Sequence, residues 1–210
     1  MSNMKPVFRE YQARDYEQCE ALVNEAWAFD QNFRPQELTD LAKCIYTRGS
    51  VSGSNYKCVV EVDGFIVGFL FGLNECLSKP KRNILFGLAT LWRLLRIKGM
   101  ERQDKRRLVD AMNAHEVNRS KVVSRGKSEV VLFVVGRRHQ GLGFGKKLWL
   151  GFESNCKSGG VKKVIVETNK LGASSFYEKM GFKHLGNFDS PLHEYASKGG
   201  QACMYEYVCK

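Results

Sequence analysis

Gly141, Gly143 and Gly145 occupy alternate positions in the stretch EVVLFVVGRRHQGLGFGKKLWLGF, residues 129–152. Strand formers precede them and a helix-like pattern follows. Glycine admits positive φ and close backbone approach. A glycine-rich turn between a strand and a helix therefore makes successive amide N–H groups converge, and the helix N-terminus adds partial positive charge. A phosphate or diphosphate is the natural guest. Lys146 and Lys147 in the first turn oppose the macrodipole on their own and make sense if an anion sits there. The spacing is G-x-G-x-G, not the G-x-G-x-x-G of a dinucleotide fold, and Gly145 is followed by two lysines rather than the Lys-Ser/Thr of a P-loop. The bland alternative is a tight turn that binds nothing.

The turn must be held by the elements around it. EVVLFVV is apolar on both faces, as a central strand requires, and GKKLWLGFESNCKS follows as a helix. VKKVIVET is the next strand, GASSFYEKM a short helix, and FKHLGNF and ACMYEYVC closing strands. Upstream, PVFREYQ opens as a strand. DYEQCEALVNEAWAF has helical spacing with Asp15 as its N-cap. PQELTDLAKCIYTR predicts a helix from Pro35 that stops at Gly49. YKCVVEVDGFIVGFLFGLN predicts a hairpin turning at Asp63-Gly64. Between the hairpin and the central strand, residues 79–127 break the rhythm with two helices, the first amphipathic, able to lie on a membrane or a partner but expected to pack on its own sheet. The whole reads as one α/β (α+β) domain, residues 1–210, with a basic helical insertion at 79–127.

Two segments together resemble the GNAT superfamily of N-acetyltransferases. QGLGFGKKL is similar to that family's acetyl-CoA diphosphate loop, [Q/R]-x-x-G-x-[G/A], in two registers. Gln140-x-x-Gly143-x-Gly145 is preferred over Arg138-x-x-Gly141-x-Gly143 because it places Lys146-Lys147-Leu148 where the family's helix begins. ETNKLGASSFYEKMGF resembles the family's N-x-x-A-x-x-x-Y-E-K-x-G-F segment at Asn169, Ala173, Tyr177, Gly181 and Phe182, with one extra residue between Asn169 and Ala173. The resemblance implies a mixed, mostly antiparallel sheet of six to seven strands, flanked by helices, with its central strands splayed.

The resemblance also implies a site. Acetyl-CoA would be the acyl donor. Its diphosphate would lie on Gln140, Gly141, Leu142, Gly143, Phe144, Gly145 and Lys146, and its pantetheine arm on the backbone of Phe133, Val134 and Val135, with Asn169 nearby. Tyr177 matches the position whose phenol protonates the departing sulfur. Glu129 stands eleven residues before Gln140, where some members carry a glutamate that takes the proton of the amine. The acceptor would be a small-molecule or peptide amine, in a pocket near Trp27, Phe29, Phe33 and the 186–200 loop. His115, His184 and His193 show no partner in the sequence.

Composition bounds the rest. Seven scattered cysteines include no CxxC pair, so thiols in a cytoplasmic protein are expected and no metal centre is. No apolar run reaches the ~18 residues of a membrane span. The net charge is +11, and residues 79–127 alone hold 14 basic against 4 acidic residues. That concentration suggests a second reading: a non-catalytic CoA-binding module whose insertion binds nucleic acid or an acidic partner. A third makes the insertion a lid that selects acidic acceptors. A homodimer is left open.

Overall fold

A computed structural model describes residues 5–80, 84–123, 127–169, 172–197 and 201–209. Its strands are β1 (Val7–Glu10), β2 (Tyr56–Val62), β3 (Phe65–Leu73), β4 (Ser128–Val135), β5 (Lys163–Asn169), β6 (Lys183–Asp189) and β7 (Gln201–Val208). Its helices are α1 (Tyr16–Trp27), α2 (Phe29–Asn32), α3 (Gln36–Gly53), α4 (Ile84–Arg96), α5 (Arg102–Val122), α6 (Phe144–Ser158), α7 (Ser174–Lys179) and α8 (Pro191–Ser197). The strands form one seven-stranded sheet in the order β1-β2-β3-β4-β5-β7-β6. Every pairing is antiparallel except β4 with β5.

That parallel pair is short. Ser128, Glu129 and Val130 pair with Val164, Ile165 and Val166, and beyond them no ladder joins the two strands. β4 continues along β3 to Val135 and β5 along β7 to Asn169, so the strands part toward their C-terminal ends. A bulge helps. Leu132 pairs with Phe71 and Val130 with Gly72, leaving Val131 as an extra residue on β4. A bulge bends its strand and resets which face the next side chains take. Val130 accordingly packs in the core under α6, whereas Leu132 and Val134 pack in the core under α1 and α3.

The period of two explains both layers. In β3, Leu70 faces Leu148, Trp149 and Phe152 of α6, while Phe69 and Phe71 face Val23, Phe29 and Leu41 on the other side. Gly72 lies under α6, where a Cβ would meet the Phe152 ring at 2.5 Å.

The hairpin turn has φ 51° at Asp63 and 84° at Gly64, the two positive values of a type I′ turn. Three local expectations need correction. Asp15 stands at the N-cap position of α1 but makes no capping bond there. Its carboxylate instead takes Arg9 at 2.7 and 2.8 Å and the Gln12 amide at 2.8 Å, because a buried carboxylate gains more from a guanidinium than from one amide. α3 runs through Gly49 to Gly53, since Val51 still has a core to pack into. Residues 191–197 form a helix rather than a loop. The first helix of the insertion also departs from expectation: α4 buries Leu94 and turns its apolar stripe outward. α5, in contrast, packs on α8 and β6.

Candidate active site

The turn after β4 is fixed from both sides. The Gly136 amide donates to the Val67 carbonyl at 2.9 Å. Glu25 of α1 accepts from the Arg137 amide, and the Glu25 carbonyl accepts from the Arg137 guanidinium, both at 2.8 Å. The Gln140 side-chain amide donates to the Val135 carbonyl at 3.0 Å. Gly141 and Gly143 then take φ of 79° and 80°, conformations that an L side chain resists. Gly143 is the N-cap of the 15-residue helix α6.

The first intrahelical bond runs from the Lys147 amide to the Gly143 carbonyl, 3.1 Å. The amides of Phe144, Gly145 and Lys146 lie ahead of it and have no intrahelical acceptor. Among the described residues, no turn or cap hydrogen bond uses an amide from Gly141 to Lys146. These donors open into a cleft of about 1080 Å³ that runs between the parted ends of β4 and β5. Phe133, Val134, Val135, Gln140, Gly141, Gly143, Gly145, Lys146 and Asn169 all line it. Leu142 is half exposed outside that lining, and the Phe144 ring is buried edge-on to Phe8, so from these two only backbone groups remain for a ligand. A diphosphate fits the unused amides, and an extended arm fits the edge of Phe133–Val135 that β5 leaves unpaired, where Gln140 already takes the Val135 carbonyl.

Tyr177 lies on α7 in the same cleft. It is packed against Phe176 and Phe182 at ring distances of 5.4 and 5.3 Å. Burial pushes its phenol pKa up, so it keeps its proton at neutral pH. The extra residue before Ala173 is taken up in a turn closed by the Gly172 amide on the Asn169 carbonyl, 2.9 Å.

At the far end, Glu129 meets residues that the sequence did not single out. Arg119 of α5 donates to the Glu129 carboxylate at 2.6 Å and to the Glu167 carboxylate of β5 at 3.0 Å. The other oxygen of Glu167 faces His193 of α8 at 3.1 Å and His115 of α5 at 3.6 Å. Ser190 holds both histidines, bonding His115 Nδ1 at 2.8 Å and accepting the His193 amide at 3.0 Å. Burial pushes the Glu129 carboxyl above the usual carboxylate range, and Arg119 offsets this only in part. Burial would also raise Glu167, but the hydrogen bond to His193 and the charges of His115, His193 and Arg119 bring it below its ordinary value. Burial lowers His115, which is therefore neutral at pH 7. The ligand atoms of His115, Glu167 and His193 lie within 4.8 Å of one another. Glu167 already accepts from Arg119 and His193, so a hydrogen-bonded network accounts for the grouping.

Trp27, Tyr46 and Leu192 complete this end of the cleft. Phe29 and Phe33, expected there, are core residues. The charge that α5 brings in as Arg119 is answered by two glutamates.

Residues 100–189 match the family profile described as Acetyltransferase (GNAT) domain. No curated protein sequence matches the chain. Solved structures match over nearly all of it. Ard1 from Thermoplasma volcanium is 19% identical with TM-score 0.52, covering 98% of both chains. The ribosomal-protein-S18-alanine N-acetyltransferase from Escherichia coli is 11% identical with TM-score 0.56, covering 98% of this chain and 95% of its own. YncA from Salmonella typhimurium, described with its cofactor acetyl-CoA, is 16% identical with TM-score 0.54, covering 100% and 95%. At these identities the likeness is one of fold. With the family profile on residues 100–189 and the parted β4–β5 pair of the sheet, it gives the protein the fold of the GNAT acetyltransferases.

Proposed function

We propose that the protein transfers the acetyl group of acetyl-CoA directly to the nitrogen of an amine. The observation that carries this reading is a single cleft holding three things: unclaimed amides from Gly141 to Lys146, the buried Tyr177 and the half-buried Glu129. Acetyl-CoA supplies a thioester whose carbonyl carbon the amine attacks, the C–N bond forming as the C–S bond breaks. The loop amides and Lys146 hold its diphosphate, and the edge of Phe133–Val135 aligns its arm.

Two protons must move. A free alkylamine with pKa ~10.4 is almost wholly protonated at pH 7 and cannot attack. Glu129 takes that proton, directly or through water, and its raised pKa brings it closer to the amine. Tyr177 gives its phenolic proton to the leaving sulfur, and the second proton, shed by the nitrogen once the C–N bond has formed, restores the phenol; burial keeps the phenolic proton in place until a thiolate develops. Glu129 and Glu167 face one guanidinium, Arg119, so the acceptor end suits an amine that arrives as an ammonium. The seven scattered cysteines, with no CxxC pair among them, support placing the reaction in the cytoplasm.

A thiol-release assay with acetyl-CoA across amines, amino acids and peptides tests the proposal. Acceptor-dependent thiol release is the expected result. No acetyl-CoA binding in isothermal titration of the pure protein would end it.

A further inference from the structure

α4 exposes an apolar stripe that nothing in the acetyl-transfer reading uses. Ile84, Leu85, Leu88, Leu91, Trp92 and Leu95 are 48–78% exposed. At 100° per residue the six fall within an arc of about 120°. On the other side of the helix, Leu94 and the following Ile97 anchor it in the core beside α3. Lys105 of α5 locks its C-terminal end, donating to the carbonyls of Leu95 and Ile97 at 2.8 Å each. The stripe is therefore held outward by a fixed frame. Scattered exposed leucines need no explanation, but a contiguous stripe of this size marks an interaction surface.

The charges around it say what it meets. Between Glu75 and Glu101 the sequence holds Lys79, Lys81, Arg82, Arg93, Arg96 and Lys98 and no acidic residue. Arg93, Arg96 and Lys98 are exposed, and the Arg96 guanidinium stacks 3.9 Å over the Trp92 ring at the edge of the stripe. Apolar residues on one arc, an aromatic at its border and cations beside it are what an interfacial helix needs. With 13 residues, α4 is about 20 Å long, too short to cross a bilayer, and among the described residues no helix is long and apolar enough to do so. The surface is one convex helix rather than a groove. A second copy docked on it would bring like-charged rims together.

We propose that α4 docks the protein on an anionic lipid bilayer, the stripe entering the headgroup region and Arg93, Arg96 and Lys98 meeting the lipid charge. This goes beyond acetyl transfer and stands or falls separately from it.

Vesicle flotation tests it. The full chain is mixed with phosphatidylcholine vesicles with and without phosphatidylserine, beside Leu88→Glu, Leu95→Glu and Arg93→Glu/Arg96→Glu variants. Circular dichroism and urea unfolding of each variant report intact folding, and none of these residues lines the cleft. The expected result is binding to the phosphatidylserine vesicles only, weakening with added salt. Each leucine variant should partition on the order of tenfold less, and the double charge reversal should lose at least about fivefold per cation. Four results would overturn the proposal: no binding at low salt, equal binding to neutral vesicles, binding unchanged by the leucine variants, or a wild-type dimer that those variants dissociate. Binding to nucleic acid that the charge reversals abolish, without binding to vesicles, would overturn it in favour of a polyanion site.

Discussion

Burial, offset in part by Arg119, sets how Glu129 titrates, and this gives the acid limb of the proposed reaction its sign. Glu129 acts as a base only when ionised, and burial has raised its pKa. Activity should therefore rise with pH through a value above the usual carboxylate range. Glu129→Gln should lower kcat on the order of 10²-fold and abolish that limb. Arg119→Gln removes the cation that holds the carboxyl down, so the limb should move to higher pH; a move to lower pH in the pH–rate profile would contradict the assignment. Tyr177 obeys the opposite logic. Its raised pKa leaves it protonated up to pH ~10, so it adds no alkaline limb below that. Tyr177→Phe should cut kcat by about 10²-fold while acetyl-CoA affinity, measured by titration, stays near wild type.

Elements place these groups, and here two further outcomes can be checked. Gly143 has φ 80° with nothing within 4 Å of a Cβ. Gly143→Ala therefore adds no clash, only a conformational penalty of about 1–2 kcal/mol. It should weaken acetyl-CoA binding by roughly tenfold in a titration while the fold survives. Asp15 ties β1 to the start of α1 through Arg9. The hydrogen bond from Arg9 holds its carboxyl below the ordinary range. That stability is present above the unfolded pKa of ~3.9 and is lost as pH falls through the lower folded value. Asp15→Asn should cost about 2 kcal/mol in urea denaturation at pH 7, allowing for the partly exposed guanidinium. The elements also show what was legible in the sequence. The strand–glycine–helix turn and the Asp63-Gly64 hairpin follow from local chemistry, and both stand where the sequence puts them. Asp15 as a cap and Gly49 as a stop failed, because a distant arginine and a distant core decided the matter.

The whole molecule supplies what no local pattern contains. Arg119, Glu129, Glu167, His115 and His193 come from α5, β4, β5 and α8, and only the packing of α5 on α8 and β6 brings them together. Apart from Glu129, which the resemblance singles out, each looks like an ordinary surface charge in the sequence. The outward stripe of α4 was hidden for a related reason: its periodicity announces an amphipathic helix, but not which way the sheet turns it. The opening itself is a property of the sheet, since β4 and β5 part only because each keeps its outer partner beyond Val130 and Val166. The most direct measurement is therefore a crystal structure with CoA. The diphosphate should lie on the amides between Gly141 and Lys146, the arm between β4 and β5, and the sulfur within hydrogen-bond reach of the Tyr177 hydroxyl. A diphosphate seated elsewhere, or a sulfur remote from Tyr177, would contradict the proposed transfer.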